Sequence, residues 1–193
     1  DCSVDLAVIG GGFTGCAAAL EAAGNGATVC LIEAQEIGHG GSGRNVGLVN
    51  AGLWLPPEAI TEILGEAEGR RLSTHLASAP KRVFDLVEKH GIACEAVRNG
   101  TLHCAHSQSG LRDLEDRHRQ QVALGAPVTL LDAAETRRRT GSPVFHGALH
   151  DARAGTINPL SYCRGLARAA VNAGARLCAR TPATAIRQAK SGW

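Results

Sequence analysis

The 193-residue sequence has no long apolar run, no strong charge of one sign and no methionine. A membrane helix needs about 20 apolar residues, so the sequence predicts no membrane span. The formal net charge is +2, and the basic residues are dispersed apart from Arg137–Arg139, so nucleic acid is not an expected partner. The chain does not start with a basic segment and an apolar stretch, so it predicts no signal peptide. The missing initiator methionine indicates a trimmed, processed or excerpted N-terminus.

Cysteine pairs with C-x-x-C spacing are also absent, although the sequence contains seven cysteines. Cys16 lies in a predicted helix, and Cys30 and Cys104 lie in predicted strands. Scattered, packed cysteines in odd number are typical of reduced thiols, so we expect a cytoplasmic protein. The segment His103–His106 offers at most two metal ligands on one strand face, so we expect no metal.

The strongest feature that is present lies near the start of the chain. Leu6–Ile9 is a continuous apolar run, typical of a strand buried on both faces of a parallel sheet. Gly10, Gly12 and Gly15 follow with G-x-G-x-x-G spacing, and Phe13–Ala23 is helix-permissive. The glycines allow a tight turn, close approach of the backbone to a pyrophosphate, and close packing of helix on strand.

The residues after this turn complete a dinucleotide-binding pattern. Phosphates would sit on unpaired N–H groups at the start of the helix, where Phe13 and Thr14 lie. A second predicted strand, Ala27–Ile32, ends at Glu33, which lies 18 residues beyond Gly15. An acidic residue at this point can accept hydrogen bonds from both hydroxyls of an adenosine ribose. The pattern predicts a βαβ unit, and Glu33 alone would suit NAD as well as FAD.

The later sequence predicts helices and short strands of a different character. Residues 34–50 are rich in glycine and predict a loop. Pro57 and Pro80 are predicted to open helices, and Asn99-Gly100 to join the strands Ala93–Arg98 and Thr101–Ala105 in a hairpin. Further predicted elements are a helix capped at Ser107 or Ser109, a strand over Val128–Leu131, a capping-box helix from Asp132, a strand over Phe145–His150, a helix from Asn158-Pro159, and strands over Arg176–Ala179 and Ala183–Ile186.

This order of elements predicts an α/β fold. We expect a Rossmann-like FAD/NAD(P)-binding domain interrupted by the beginning of a second, α+β domain. Residues 1–78 are predicted to form the first part of the nucleotide-binding domain, and residues 79–148 a segment of the second domain. Residues 149–193 are predicted to return to the nucleotide-binding domain.

Three segments together resemble FAD-dependent oxidoreductases of the D-amino-acid oxidase family, closest in look to its γ-glutamylputrescine oxidase and glycine-sarcosine oxidase branch. The first segment is Val8–Gly15 with Glu33. The second, Gly41–Val49, looks like the SGRN-x-G loop that passes beside the flavin in that branch. The third, Gly155–Pro159 with residues 174–183, resembles the return from the substrate domain. The resemblance covers nearly the whole chain but only the N-terminal half of such an enzyme.

The resemblance implies FAD as the cofactor and a small amine or amino acid as the substrate. It also implies that the predicted nucleotide-binding domain is an FAD-binding domain and that the second domain is an inserted substrate domain. The C–N bond would be oxidised by hydride transfer to flavin N5, and the imine would be hydrolysed, with O2 or another acceptor reoxidising the flavin. No catalytic residue is assigned. The residues expected to bind FAD are Gly10, Gly12, Phe13, Thr14, Gly15, Glu33, Ala34, Ser42, Gly43, Arg44, Asn45, Gly47, Leu48 and Ala183.

Two other functions stay open at the level of sequence. One is a different two-domain FAD dehydrogenase, of the glycerol-3-phosphate or 2-hydroxy-acid type. The other is a non-catalytic FAD-binding subunit or fragment, because the chain covers only half of such an enzyme.

Overall fold

The computed structural model describes residues 3–188 and residue 192. The helices and strands in chain order are β1 (Leu6–Ile9), α1 (Phe13–Gly24), β2 (Val29–Ile32), α2 (Gly41–Arg44), β3 (Leu48–Val49), α3 (Pro57–Leu64), α4 (Glu66–Lys89), β4 (Thr101–Ala105), α5 (Gln108–Ala123), β5 (Val128–Asp132), α6 (Ala133–Thr140), β6 (Gly147–Asp151), β7 (Gly155–Thr156), α7 (Pro159–Asn172) and β8 (Arg176–Cys178). This mixture of helices and strands confirms the predicted α/β class. Within the described residues, no helix is both long and apolar enough to cross a membrane.

The chain forms two compact units, each built from separate stretches of sequence. The first unit contains the described residues up to Gly47, then Leu86–Glu95, and those from Ile157 onward. The second unit contains Leu48–Asp85 and Ala96–Thr156. The assignment of an FAD-binding domain and a substrate domain along the chain stays a prediction.

The first unit is organised around a parallel sheet with the strand order β1-β2-β8. Leu6 aligns with Val29 in the first pair, and Cys30 aligns with Arg176 in the second. Helices α1 and α7 pack against each other in this unit, and Cys16 and Cys163 are fully buried in them. The predicted return of a helix and a strand to the first sheet is therefore confirmed by α7 and β8.

The prediction that the first strand is buried on both faces is wrong for the described chain. Leu6 is 37% exposed and Ile9 is 54% exposed. The cause is position, because β1 is the edge strand of the sheet and pairs only with β2 among the described residues. By contrast, the central strand β2 is buried at Val29, Cys30 and Leu31.

The second unit contains an antiparallel sheet with the strand order β4-β6-β5. Its core is an apolar cluster of residues from this sheet and from α5, namely Ala105, Leu114, Val128 and Leu149. A separate two-stranded ribbon pairs β3 with β7, with Leu48 opposite Thr156. The antiparallel pairing differs from the parallel sheet of the first unit, as the change in sequence pattern predicts.

The predicted hairpin at Asn99-Gly100 is wrong. Residues 93–98 form no strand, and β4 pairs instead with β6, with Thr101 opposite Asp151. Val97 forms only an isolated bridge to Thr156. The chain still bends at Asn99, and Gly100 has a positive φ of +82° while its N–H donates to the carbonyl of Ala154. The Asn-Gly signal therefore marks a bend before β4, but long-range contacts decide which strands pair.

Two further boundaries differ from prediction. Pro80 does not open a helix but lies buried inside α4, which begins at Glu66. The helix formed by the residues before Pro80 continues through the proline. Because proline has no N–H, one intrahelical hydrogen bond, to the carbonyl of Leu76, is missing. The predicted strand over Ala183–Ile186 is also wrong, because these residues are exposed and have no regular structure.

Candidate functional site

The glycine turn between β1 and α1 has the geometry that its spacing predicts. Gly10 has a φ of +104°, which glycine adopts without strain, and its N–H donates to the carbonyl of Ile32 at 2.8 Å. A Cβ on Gly15 would overlap the backbone carbonyl oxygen of Gly10. Only glycine therefore allows α1 to start so close to the turn.

The start of α1 is capped by a residue from a different helix. The N-cap residue Gly12 has no side chain, so it cannot accept a hydrogen bond from the first turn. The N–H of Phe13 donates instead to Ser42 Oγ at 3.0 Å. A Cβ on Gly12 would lie 2.8 Å from the same oxygen. The structure thus joins the predicted motif Gly10–Gly15 to the predicted loop residue Ser42.

Glu33 lies directly after β2 and is held by backbone donors. Its carboxylate accepts hydrogen bonds from the N–H of Gly11 at 2.6 Å and from the N–H of Gln35 at 2.7 Å. These two N–H groups, Gly11 first, hold the pKa of the Glu33 carboxyl below its ordinary value. The carboxylate is therefore ionised near neutral pH and fixed beside the glycine turn. Its contact with a ribose stays a prediction.

The glycine-rich segment after Glu33 is not a plain loop, because Gly41–Arg44 forms the short helix α2. A Cβ on Gly43 would overlap the carbonyl oxygen of Gly38. Gly47 has a φ of +76°, and a Cβ there would overlap the carbonyl oxygen of Ile157. The glycines thus let backbone segments of the first unit approach one another closely.

Asn45 closes α2 with its side chain. Its Nδ2 donates to the carbonyls of Gly41 and Ser42, each at 3.1 Å. Its Oδ1 accepts from the N–H of Gly47 at 2.8 Å. One amide side chain therefore holds the segment that carries Ser42.

We expect Asn45→Ala to lower the free energy of unfolding by about 1–2 kcal/mol, because three side-chain hydrogen bonds disappear. FAD affinity should fall as well, because Ser42 loses its support. The matched control is Asn25→Ala, which removes a single bond from Asn25 Nδ2 to the Glu21 carbonyl at the other end of α1. Flavin titration and urea unfolding measure both variants. Equal FAD affinity in the two variants would show that Asn45 does not support the site.

Four other predicted site residues take no part in the hydrogen bonds that join the glycine turn, Glu33, Ser42 and Asn45. Arg44 is exposed, and its Nη2 lies 3.1 Å from His39 Nε2. Ala34 is exposed in the bend after Glu33, and Leu48, 53% exposed, belongs to the second unit. Ala183 is exposed, two residues beyond Thr181.

The return segment does come back to the end of β2. The N–H of Thr181 donates to the backbone carbonyl of Glu33 at 2.8 Å, and the N–H of Glu33 donates to the carbonyl of Cys178 at 2.9 Å. Arg180 also pairs with the Glu36 carboxylate. The structure therefore brings the third predicted segment to the acidic residue of the first.

Sequence reasoning missed the support that α7 gives to the glycine turn. The Cys163 thiol donates to the carbonyl of Gly11 at 3.4 Å. Tyr162 packs edge-to-face on Phe13, with ring centroids 5.5 Å apart. A hydrogen bond with Cys163, together with burial, raises the pKa of the Cys16 thiol. The apolar face of α7 predicts burial of Cys163, but no local pattern points from it to Gly11.

A metal site does not emerge from the part of the chain that the structure describes. No group of three or more His, Cys, Asp or Glu side chains there could hold a metal ion. His103 instead stacks on Trp54, with ring centroids 4.6 Å apart.

Comparison with known proteins shows to which family the sequence is similar. Residues 5–193 match the family described as FAD dependent oxidoreductase, or DAO. The chain is 36% identical over 184 residues to "Probable oxidoreductase OrdL" of Rhizobium meliloti (strain 1021). This alignment covers 94% of this chain and 43% of the relative. It is 32% identical over 166 residues to gamma-glutamylputrescine oxidoreductase of Escherichia coli (strain K12). That alignment covers 86% of this chain and 39% of the relative.

A solved structure shows the same architecture. Glycine oxidase from Geobacillus kaustophilus superposes with a TM-score of 0.74 and 25% identity, over 92% of this chain and 46% of that chain. This similarity confirms the predicted fold, and the family match confirms the predicted resemblance. The chain spans less than half the length of these relatives.

Proposed function

Because the chain belongs to the FAD dependent oxidoreductase family, we propose that the full-length protein oxidises the C–N bond of an amine or amino acid. The observation that carries FAD binding is the start of α1, where Gly11, Phe13, Glu33 and Ser42 converge. The substrate class rests on the relatives, which include gamma-glutamylputrescine oxidoreductase and glycine oxidase. A cytoplasmic location and reoxidation by O2 or another acceptor belong to the same proposal.

The residues present fit a dinucleotide. Phe13, Thr14 and Gly15 are the first residues of α1, so their N–H groups precede its first intrahelical bond, from Cys16 to Gly12. The positive end of a 12-residue helix and the lack of any Cβ on Gly12 leave backbone available to a pyrophosphate. The site residues Gly10, Gly12, Phe13, Thr14, Gly15, Glu33 and Ser42 would hold the ADP end.

Each of these residues has a separate task in the proposal. Ser42 Oγ can keep the N–H of Phe13 paired when no phosphate is present. The ionised Glu33 keeps lone pairs free for ribose hydroxyls while it holds the Gly11 N–H. We further propose that Gly43, Arg44, Asn45, Gly47 and Leu48 contact FAD beyond its ADP end, and that Ala34 and Ala183 lie at the adenine.

FAD, when bound, supplies a hydride acceptor for the C–H bond next to the substrate nitrogen, and the imine product hydrolyses in water. The chain's own contribution is to fix the cofactor by one end so that the reacting end is oriented. We assign no acid–base residue of this chain to the reaction.

The test is the colour of the purified full-length protein. We expect flavin absorbance bands that bleach when an amine or amino acid is added without oxygen. Bleaching by glycerol 3-phosphate or a 2-hydroxy acid, with no response to amines, would replace the proposal by the other dehydrogenase type. A yellow protein inert to all of these would favour a non-catalytic FAD-binding subunit. A colourless protein that takes up no FAD would overturn the proposal as a whole.

A further inference from the structure

A cavity of the first unit is lined by residues of α7, by Leu177 of β8 and by the segment His90–Ile92. Its volume is about 490 Å³, within the range of small-molecule sites. Its polar lining comes from Arg164, Arg168 and Asn172 of α7, together with His90. No residue of the glycine turn Gly10–Gly15 lines it. The cavity is therefore a different place from the proposed ADP site.

The charge of this cavity is of one sign. Its lining contains Arg164 and Arg168 but no aspartate or glutamate. Both arginines are exposed, and neither pairs with a carboxylate among the described residues. Many other arginines of the same chain do pair, namely Arg70, Arg71, Arg119, Arg138, Arg139, Arg153 and Arg180. Two neighbouring unpaired guanidinium groups leave their donors available to an anion.

The spacing of these groups suits a single ligand. Arg164 and Arg168 are four residues apart on α7, so they lie on the same side of the helix, one turn apart. Asn172 continues the same row, four residues further on. The row ends in an amide that can also donate hydrogen bonds. A ligand with more than one negative charge can therefore meet several donors at once.

The rest of the lining is mostly apolar. Ile92 is 6% exposed and Ala167 is 5% exposed, and Leu177 of β8 also lines the space. A Cβ on Gly165 would overlap the Ile92 side chain, so glycine lets Ile92 approach the helix. A lining with two guanidinium groups and several apolar side chains suits a ligand that has an anionic group and an apolar body.

We propose that this cavity binds a small organic dianion, with its charged group at Arg164 and Arg168 and its apolar body on Ile92 and Leu177. Phosphate monoesters and dicarboxylates share this chemistry, because both present several oxygen acceptors to a guanidinium pair. The site is independent of the oxidation proposed above, since it uses none of the residues assigned to FAD.

The test is calorimetric titration of the full-length protein saturated with FAD, so that the ADP site cannot take the probe. The probes are phenyl phosphate, phthalate and inorganic phosphate. We expect saturable binding of phenyl phosphate or phthalate, and weaker binding of inorganic phosphate, which lacks an apolar body. Tighter phenyl phosphate identifies a monoester site, and tighter phthalate identifies a dicarboxylate site.

The variant Arg164→Gln/Arg168→Gln should lower the affinity for the preferred probe by about tenfold or more, because two charge-assisted contacts are lost. The control Arg112→Gln/Arg137→Gln removes the same charge from exposed positions of the second unit and should bind as the parent does. Thermal melting verifies that both variants fold. Absence of saturable binding, or equal affinity in the two variants, would overturn the proposal. Arg164→Lys/Arg168→Lys should bind with intermediate affinity.

Discussion

Gly15→Ala is expected to abolish FAD binding and to lower the free energy of unfolding by about 3 kcal/mol, the upper part of the range for overpacking. The new Cβ would overlap the carbonyl oxygen of Gly10, which is backbone and cannot rotate away. The helix α1 must then move from the turn, and the N–H groups that would face the pyrophosphate move with it. Flavin absorbance after gel filtration and urea unfolding measure the two effects.

The same helix supplies the control for this variant. Gly24 is the last residue of α1, and a Cβ there would have no heavy atom within 4 Å. We expect Gly24→Ala to keep full FAD content and to raise the free energy of unfolding by up to about 1 kcal/mol, because alanine favours the helix. Normal FAD content in both variants would contradict the close approach of α1 to Gly10.

Glu33→Gln is expected to weaken FAD binding on the order of 100-fold and to destabilise the protein by about 1–3 kcal/mol. The carboxylate accepts from two backbone N–H groups, of Gly11 and Gln35. The substituted amide has one acceptor oxygen, so it can satisfy only one of them and turns its own NH2 toward the other. Flavin titration and urea unfolding at neutral pH give the two numbers.

A nearby carboxylate separates this effect from a simple loss of charge. Glu36 is three residues further on and pairs with Arg180 at the surface. Exposed pairs contribute little, so Glu36→Gln should change stability by less than about 1 kcal/mol and leave FAD affinity unchanged. If the two variants lose FAD affinity equally, the specific role of Glu33 is refuted.

Acid should remove the stabilisation of the folded protein that the Glu33 carboxylate provides. Its pKa is lowered in the folded protein from the ordinary value of 4.5, by the N–H groups of Gly11 and Gln35. The stabilisation is therefore complete above pH 4.5 and is lost as the pH falls through the folded pKa. The difference in unfolding free energy between the parent and Glu33→Gln should be largest at neutral pH and shrink below pH 4.5.

The βαβ unit at the start of the chain could be predicted because its signals are local. The apolar run Leu6–Ile9, the glycine spacing and the acidic residue all fall within one supersecondary unit, and β1, α1 and β2 appear where expected. Asn158 and Pro159 likewise start α7 as predicted, with Asn158 Oδ1 accepting from the Ser161 N–H. Capping and turn chemistry depend on neighbours that the sequence places side by side.

What the sequence could not predict depends on residues far apart in the chain. Nothing near Thr101 indicates that β4 pairs with β6, and nothing near Ser42 indicates that it caps the N–H of Phe13. The burial of Pro80 inside α4 is also a tertiary effect, which overrides the usual role of proline as a helix start. For the candidate site, the geometry of the glycine turn could be predicted because a local motif forms it, and its role at the ADP end of FAD stays a proposal.

The interrupted path of the first unit has a consequence for synthesis. The chain leaves this unit after Gly47, returns to it over Leu86–Glu95, and enters it again at Ile157, whose N–H donates to the Gly47 carbonyl at 2.9 Å. On the ribosome, β1 and β2 emerge long before β8, the strand that covers the other edge of β2. During that interval the apolar strand β2 has an open edge, which is a template for aggregation. We therefore expect the yield of folded protein to depend on translation speed and chaperone binding before β8 is made.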